Sequence, residues 1–383
     1  LNFSYEDVDY LRGLGLFSED FLHYLSGFHF SGDIYAFPEG SVIFPREPLV
    51  KVIAPIMEAQ LVETAILNII NHQSLIATKT SRIVFAANGS GIMEFGLRRA
   101  QGPDAGLYGA RAAMIGGCVG TSNVLAGQLF DVPVMGTHAH SWVMSFPSEL
   151  EAFRKYAELF PTSCLLLVDT YDTLRSGVPN AITVFRELRA RGFEPKGIRL
   201  DSGDLAYLSR EARKMLDDAG FPNTIICASG DLDENLIRDL KLQGAAIDTW
   251  GVGTKLITSE DCPSLGGVYK LSAEIENGKV IPKIKISENP VKITNPGLKK
   301  LYRLYGADGM AVADLIALDH ERFDPSQPLT IYDPVNTWKS MTLTDYTIKD
   351  LHVQLFRDGR CVYQSPSLTE IQRHCREDQA TFW

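Results

Sequence analysis

Cysteine is scarce in this chain of 383 residues: six are present, and no two form a CxxC pair. That spacing excludes a disulfide-dense scaffold and the common zinc-ribbon patterns. Cys164 and Cys227 fall inside apolar runs, where cysteine packs as a small hydrophobe, so a reduced, cytoplasmic setting is the expectation. No apolar run approaches the roughly 20 residues of a membrane-spanning helix, and no signal-peptide pattern opens the chain. Positive charge is in deficit, with 37 Lys and Arg against 47 Asp and Glu, a net charge of −10. Non-specific nucleic-acid binding is thereby disfavoured. An anionic small molecule is not, because a few local arginines decide that. There is no low-complexity tract. The first residue is Leu1, already inside a helix-like phrase, and Trp383 follows another, so both ends read as cut.

What is present is a series. Four apolar runs end abruptly in small polar turns: CLLLVDTYDT (164–173), GIRLDSGDL (197–205), TIICASGDLD (224–233) and AIDTWGVGTK (246–255). Their turn onsets, Asp169, Asp201, Ser229 and Gly251, lie 32, 28 and 22 residues apart, room for one strand, one helix and two loops per step. Helix-like segments between them close on Gly192, Gly220 and Gly244, as C′ glycines do. Repeated βα units predict parallel strands with right-handed crossovers, and continuous apolar runs predict strands covered on both faces. Ligands of such folds sit beyond the carboxyl ends of the strands. All four polar turns therefore point at one site.

The flanks have another texture. Residues 1–30 read as two short helices with N-terminal signals at Ser4 and Ser18, 32–44 as a hairpin, 48–55 as a strand, and 56–87 as one buried helix. Residues 266–287 and 329–348 read as antiparallel strands with Asn-Gly and Asp-Pro turns. The predicted fold is α/β: an irregular, TIM-like βα barrel over 94–265, and a discontinuous α/β domain rich in antiparallel strands over 1–93 and 266–383.

Several residues in the series carry chemistry. Phe95 with Arg98 and Arg99 suits a flat aromatic acid, the ring for stacking and a guanidinium for the carboxylate. A buried Phe beside a surface arginine pair accounts for the same residues. The glycine-rich turn GCVGTSNVLAG (117–127) leads into a helix and offers amides to an anion. In GTHAHSWVMSF, His138 and His140 beside Thr137 and Ser141 permit a metal pair, an acid–base or nucleophilic role, or a satisfied structural histidine. Asp201 and Asp204 flank Ser202 and Gly203. Carboxylates at a strand end can accept ribose hydroxyls, hold magnesium through water, or cap a helix. Arg199 shares a strand face with Asp201. SGD recurs at 229–231, and GVGT (251–254) supplies free amides suited to a monophosphate. A barrel lyase would need a lysine at a strand end, and Lys255, after GVGT, is the candidate.

Taken in order, FGLRRAQGPD, GTSNVLAG, GTHAHSW, DTYDTLRSG, IRLDSGDL, SGDLDE, GVGT and SLGGVYKL resemble the nicotinate phosphoribosyltransferase family over roughly residues 30–300. The resemblance implies formation of nicotinate mononucleotide and pyrophosphate from nicotinate and phosphoribosyl pyrophosphate, a step of NAD biosynthesis. It also implies coupling to ATP hydrolysis through a phosphorylated histidine, His140, with His138 a neighbour without that role. It assigns Phe95 to the pyridine ring, Arg199 and Thr137 to its carboxylate, and Asp201 to the ribose, with Ser202 and Gly203 also substrate-binding. Gly230, Asp231, Gly253 and Thr254 take the ribose and 5′-phosphate, and Arg98 faces the phosphates, from a second subunit in one arrangement. His140 and Asp201 are the implied catalytic pair. Magnesium would ride on substrate oxygens, with no protein metal site, and a homodimer with shared sites is implied. Related nicotinamide enzymes carry GTD where this chain has GTS, and Ser122 does not repel a carboxylate. The family's terminal segments are expected to be absent. Another type II phosphoribosyltransferase, using nicotinamide or quinolinate, and a non-catalytic nucleotide-binding homologue are the alternatives.

Overall fold

The computed structural model, which describes residues 1–286 and 295–383, turns the βα series into a parallel sheet of six strands. From edge to edge the order is Gly120–Thr121, Gly91–Glu94, Thr249–Val252, Ile225–Ala228, Gly197–Leu200 and Leu165–Leu167. Every neighbouring pair is parallel. Leu165–Leu167 are buried throughout, as are Ile226, Cys227 and Ala228, which is why these strands read as unbroken apolar runs. The intervening helices include Val178–Ala190, Leu205–Asp218 and Glu234–Leu242. Asp204 and Asp233 cap the last two through their side chains, and Gly192, Gly220 and Gly244 take left-handed φ values of 87°, 85° and 71° just past the helix ends.

Six laddered strands are found where seven or eight would close a barrel. Among the described residues, the gap between the edge strands is crossed by 133–138, which bonds at both ends without forming a ladder. Thr121 donates to Pro133 O and Met135 donates to Thr121 O. Pro133 has no N–H to continue the pairing. At the far edge the His138 imidazole accepts from the Leu167 N–H at 3.1 Å. After the strand Leu165–Leu167 comes a five-residue π-helical turn, Thr173–Gly177. A Cβ at Gly177 would stand 1.8 Å from the Val168 carbonyl oxygen, so only glycine lets that turn lie against the strand end.

This unit comprises Ile70–Gly266, and a second comprises Leu1–Ile69 with Gly267–Trp383. The division falls at 69/70 where the sequence placed it at 93/94, because Gly91–Glu94 lies inside the parallel sheet. The helix read as continuous over 56–87 is interrupted at Val62, giving Ile56–Leu61 and Glu63–Ala87. Among the described residues, no helix is long and apolar enough to cross a membrane.

The second unit is antiparallel. One sheet runs Arg360–Cys361, Val353–Arg357, Asp33–Ala36, Val50–Ile53, and another runs Ala311–Leu318, Lys299–Gly306, Tyr346–Asp350. Ala273–Glu276 and Lys279–Pro282 form a hairpin about Asn277–Gly278, both at positive φ, as the Asn-Gly signal predicts. Residue 287, the end of that predicted strand pair, lies outside the described residues. The hairpin expected within 32–44 does not form. Asp33–Ala36 pairs instead with Val50–Ile53 and with Val353–Arg357, more than 300 residues on. The backbone that would have made the second strand is taken by side chains: Val42 donates to Asp378 and accepts from Arg303.

Arg303 is fully buried, with both Asp314 oxygens at 2.8 and 2.9 Å and Asp378 at 3.0 Å. Glu47 adjoins this cluster. Burial, and a hydrogen bond shared with Asp314, push its carboxyl up to about 8 from an ordinary 4.5. The folded state therefore holds this proton more tightly than the unfolded chain does. Stability should fall as pH rises from about 4.5 through 8, then level off. Urea midpoints measured from pH 5 to 9 should drop in the wild type and drop less in Glu47→Gln. Parallel curves would remove Glu47 from the pH dependence.

Candidate active site

The carboxyl ends of the six strands carry Ser122, Phe95, Gly253, Ser229, Asp201 and Asp169, so the turns noted in sequence do converge. At their centre is Arg199. Its Nε donates to Ser229 Oγ at 2.6 Å, Nη1 to Thr137 Oγ1 at 2.8 Å and Nη2 to Asp201 Oδ1 at 2.7 Å. A guanidinium has five N–H groups. Three are used, leaving one N–H on each terminal nitrogen for a further acceptor such as a carboxylate. The Arg199 guanidinium carbon lies 5.6 Å from the Phe95 ring centroid. That ring rests on Gly251, where a Cβ would meet it at 2.5 Å. An aromatic face, a cation and a glycine floor therefore meet in one place.

Asp201 also accepts from the Ser229 hydroxyl. Burial pushes its carboxyl up, but that hydroxyl and the charge of Arg199 outweigh burial and hold it below the usual carboxylate value. Asp201 is thus ionised at neutral pH, a fixed negative charge beside Arg199.

A second cluster lies alongside. His140 Nε2 faces Asp169 Oδ1 at 3.1 Å, while Asp169 Oδ2 accepts from the Asp201 N–H at 3.0 Å and from Ser202 Oγ at 2.5 Å. The Asp169 side chain is 2% exposed and the His140 side chain 38%. Because Asp169 is an acceptor, Nε2 carries the proton and Nδ1 is left as the free lone pair. The pair links the two clusters through one carboxylate.

The remaining sequence candidates are distributed around these. Gly203 and Gly230 have φ of 84° and 116°, and a Cβ at Gly230 would lie 2.9 Å from the Asp201 carbonyl oxygen. Asp231 is exposed on the same turn, and Gly253 and Thr254 open the short helix Thr254–Ile257. Arg98 sits exposed on the 3-10 turn Leu97–Arg99, outside the Arg199 cluster. His138 and His140 are committed to different partners, Leu167 and Asp169, and no group of three or more His, Cys, Asp or Glu among the described residues is arranged to hold a metal. Lys255 is tied to Asp233 at 2.8 Å, and that partner raises its pKa, the opposite of what a Schiff-base lysine needs.

Three participants escaped the sequence reading. Asp169 was legible as a turn onset but not as the partner of His140. Ser229 was read as a turn residue, not as the link between Arg199 and Asp201. Glu94, fully buried, accepts from Thr121 Oγ1 at 2.6 Å and from the Gly96 N–H, and Thr121 Oγ1 accepts from the Asn123 N–H. That relay joins the turn bearing Phe95 to the turn bearing Ser122. Burial raises the Glu94 pKa.

Three family models match the chain: the nicotinate phosphoribosyltransferase family over residues 91–301, its N-terminal domain over 1–71 and its C-terminal domain over 298–383. The expectation that the family's terminal segments are absent is therefore overturned, since both terminal domains are present. Among curated relatives, the nicotinate phosphoribosyltransferase of Bacillus subtilis is 50% identical over 385 residues, covering 100% of this chain and 78% of that protein. One from Mycobacterium tuberculosis is 46% identical over 86% of this chain and 69% of its own length. The crystal structure of human nicotinic acid phosphoribosyltransferase superposes with a TM-score of 0.88 at 29% identity, covering 100% of this chain and 83% of that one.

Proposed function

The chain belongs to the nicotinate phosphoribosyltransferase family, and we propose on that premise that it converts nicotinate and phosphoribosyl pyrophosphate to nicotinate mononucleotide and pyrophosphate, a step of NAD biosynthesis. The observation that carries the reading is the Arg199 fork, oriented by Thr137, Asp201 and Ser229 beside the Phe95 ring. Nicotinate is a flat ring with one carboxylate. Its carboxylate takes the two remaining guanidinium N–H groups, and its ring lies along Phe95. The pyridine nitrogen attacks C1 of the ribose, the bond from C1 to the pyrophosphate oxygen breaks, and pyrophosphate leaves with the electron pair. Positive charge develops on the ribose, and the ionised Asp201 next to it stabilises that charge. Asp201, with Ser202 and Gly203, binds the ribose hydroxyls. The turns with Gly230 and Asp231, and with Gly253 and Thr254, take the 5′-phosphate, with Arg98 facing the phosphates. Magnesium enters on pyrophosphate oxygens and water, a reading supported by the site's carboxylates, Asp169 and Asp201, being engaged by protein donors.

The reading extends to ATP. His140, with Nε2–H on Asp169, attacks the terminal phosphorus of ATP through Nδ1, the bond from that phosphorus to the bridging oxygen breaks, ADP leaves with the electron pair, and hydrolysis of the phosphohistidine to inorganic phosphate resets the site. That would make the enzyme an ATP-coupled ligase. A homodimer with shared sites is part of the same reading, supported by Arg98 lying outside the Arg199 cluster of its own chain. A cytoplasmic location is supported by six free cysteines.

The test is titration calorimetry with nicotinate and with nicotinamide, in the presence of magnesium and phosphoribosyl pyrophosphate, followed by product analysis. Nicotinate-selective heat and nicotinate mononucleotide are expected. Heat with nicotinamide alone would shift the reading to a nicotinamide enzyme. Ser122→Asp sharpens the point. A carboxylate on that turn should weaken nicotinate at least tenfold while sparing nicotinamide, because like charges within a few ångströms repel in a partly dry site. Equal KM values for nicotinate in wild type and variant would remove Ser122 from specificity.

A further inference from the structure

His138 is buried, 7% exposed, and a neutral imidazole offers one donor and one acceptor. The Leu167 N–H is a donor only, and it lies 3.1 Å from Nε2. Nε2 is therefore the bare nitrogen, and the proton sits on Nδ1, which faces the Ala139 carbonyl at 3.5 Å. Tyr156 meets the ring edge-on at 4.6 Å, closing it off from the side. Burial, together with the positive charge of Arg199 nearby, pushes the ring's pKa down to about 4, in keeping with a neutral group.

Position gives this bond its consequence. Leu167 ends the edge strand, and Asp169 follows two residues later. On the other side, His138 stands between Thr137, which orients Arg199, and His140, which faces Asp169. The ladder partner of Leu165–Leu167 is Gly197–Leu200, on the opposite edge. So the segment that carries Thr137 and His140 is pinned to the strand by a side chain, at the place where a closed barrel would use a strand.

We propose that His138 is a positioning residue for the reaction: fixed with its proton on Nδ1, it sets the spacing between the 137–140 segment and Asp169 through its bond to the Leu167 amide, and it does not itself accept a phosphoryl group. The inference rests on the reading of the site given above. A misplacement of about 1 Å at such a site costs roughly a hundredfold in rate.

Two variants separate the bond from the packing. His138→Gln keeps an acceptor near the Nε2 position, and His138→Phe keeps a ring against Tyr156 without the acceptor. Both are compared with wild type by thermal unfolding, by kcat and KM for nicotinate, and by 15N spectra of the histidine rings in the labelled protein. The expected result is a wild-type His138 with bare Nε2 and protonated Nδ1 that does not titrate between pH 6 and 8. His138→Gln should stay within about threefold of wild type in both kinetic parameters. His138→Phe should be folded yet lose roughly 10- to 100-fold in kcat/KM. A proton on Nε2, titration near neutrality, full activity in folded His138→Phe, or equal damage in both variants would overturn the proposal. A wild-type chain that makes no nicotinate mononucleotide would sink the reaction reading instead, while the ring spectra would still decide the fate of His138.

Discussion

Arg199→Ala is expected to raise the KM for nicotinate by about a hundredfold or more. Removing one partner of a partly buried, hydrogen-bonded charge pair costs about 2–5 kcal/mol, and each 1.4 kcal/mol is a factor of ten. In this site the loss is compounded, because three acceptors converge on the guanidinium: Ser229, Thr137 and Asp201. Without it, Asp201 keeps its negative charge and now faces an incoming carboxylate with nothing between them. Arg199→Lys should recover little, since an ammonium is a point charge and cannot hold three fixed acceptors while presenting a two-pronged fork. Steady-state kinetics at saturating phosphoribosyl pyrophosphate, with nicotinamide as the uncharged comparison, checks the assignment. An unchanged KM for nicotinate would place the carboxylate elsewhere.

The second large effect concerns His140 and Asp169. His140→Ala should abolish ATP-stimulated turnover and the acid-labile phosphoprotein, while leaving a slow, ATP-independent phosphoribosyl transfer. The transfer should persist because the residues proposed to carry it, Arg199, Asp201 and Phe95, are untouched. Asp169→Asn is the more informative change. It is nearly isosteric, yet an amide offers one acceptor where the carboxylate serves His140, the Asp201 N–H and Ser202. Phosphorylation should slow by about 10²–10⁴-fold, the range that a positioned proton-transfer partner contributes. Phosphoprotein trapped from labelled ATP by rapid quench measures it. Retained ATP stimulation in His140→Ala would end the coupling role of this residue.

Some of these contacts are legible in the chain and others are not. The period-2 geometry of a strand put Arg199 and Asp201 on one face, and they are paired at 2.7 Å. Phe95 and Arg199, far apart in sequence, were linked only by the family resemblance, and they lie 5.6 Å apart by ring centroid and guanidinium carbon. Arg98, expected beside phosphates, lies outside the cluster of its own chain. Asp169 and His140 are 29 residues apart, and Thr137 and Arg199 are 62. No periodicity spans such distances.

By itself the sequence determined what local chemistry determines. Apolar runs on a 22–32-residue step became parallel strands, because only two-sided cover satisfies them. Asp204 and Asp233 became helix caps, and glycines past the helix ends became left-handed stops, because those preferences act within four residues. Tertiary structure alone decided how many strands pair, that Asp33–Ala36 would find Val353–Arg357 rather than fold back on residues 41–44, and that His138 would take the bond that a barrel strand left unmade. The reason is the same in each case. Every buried donor and acceptor must be satisfied, and which partner satisfies it depends on which distant segment arrives with a free group at the right place.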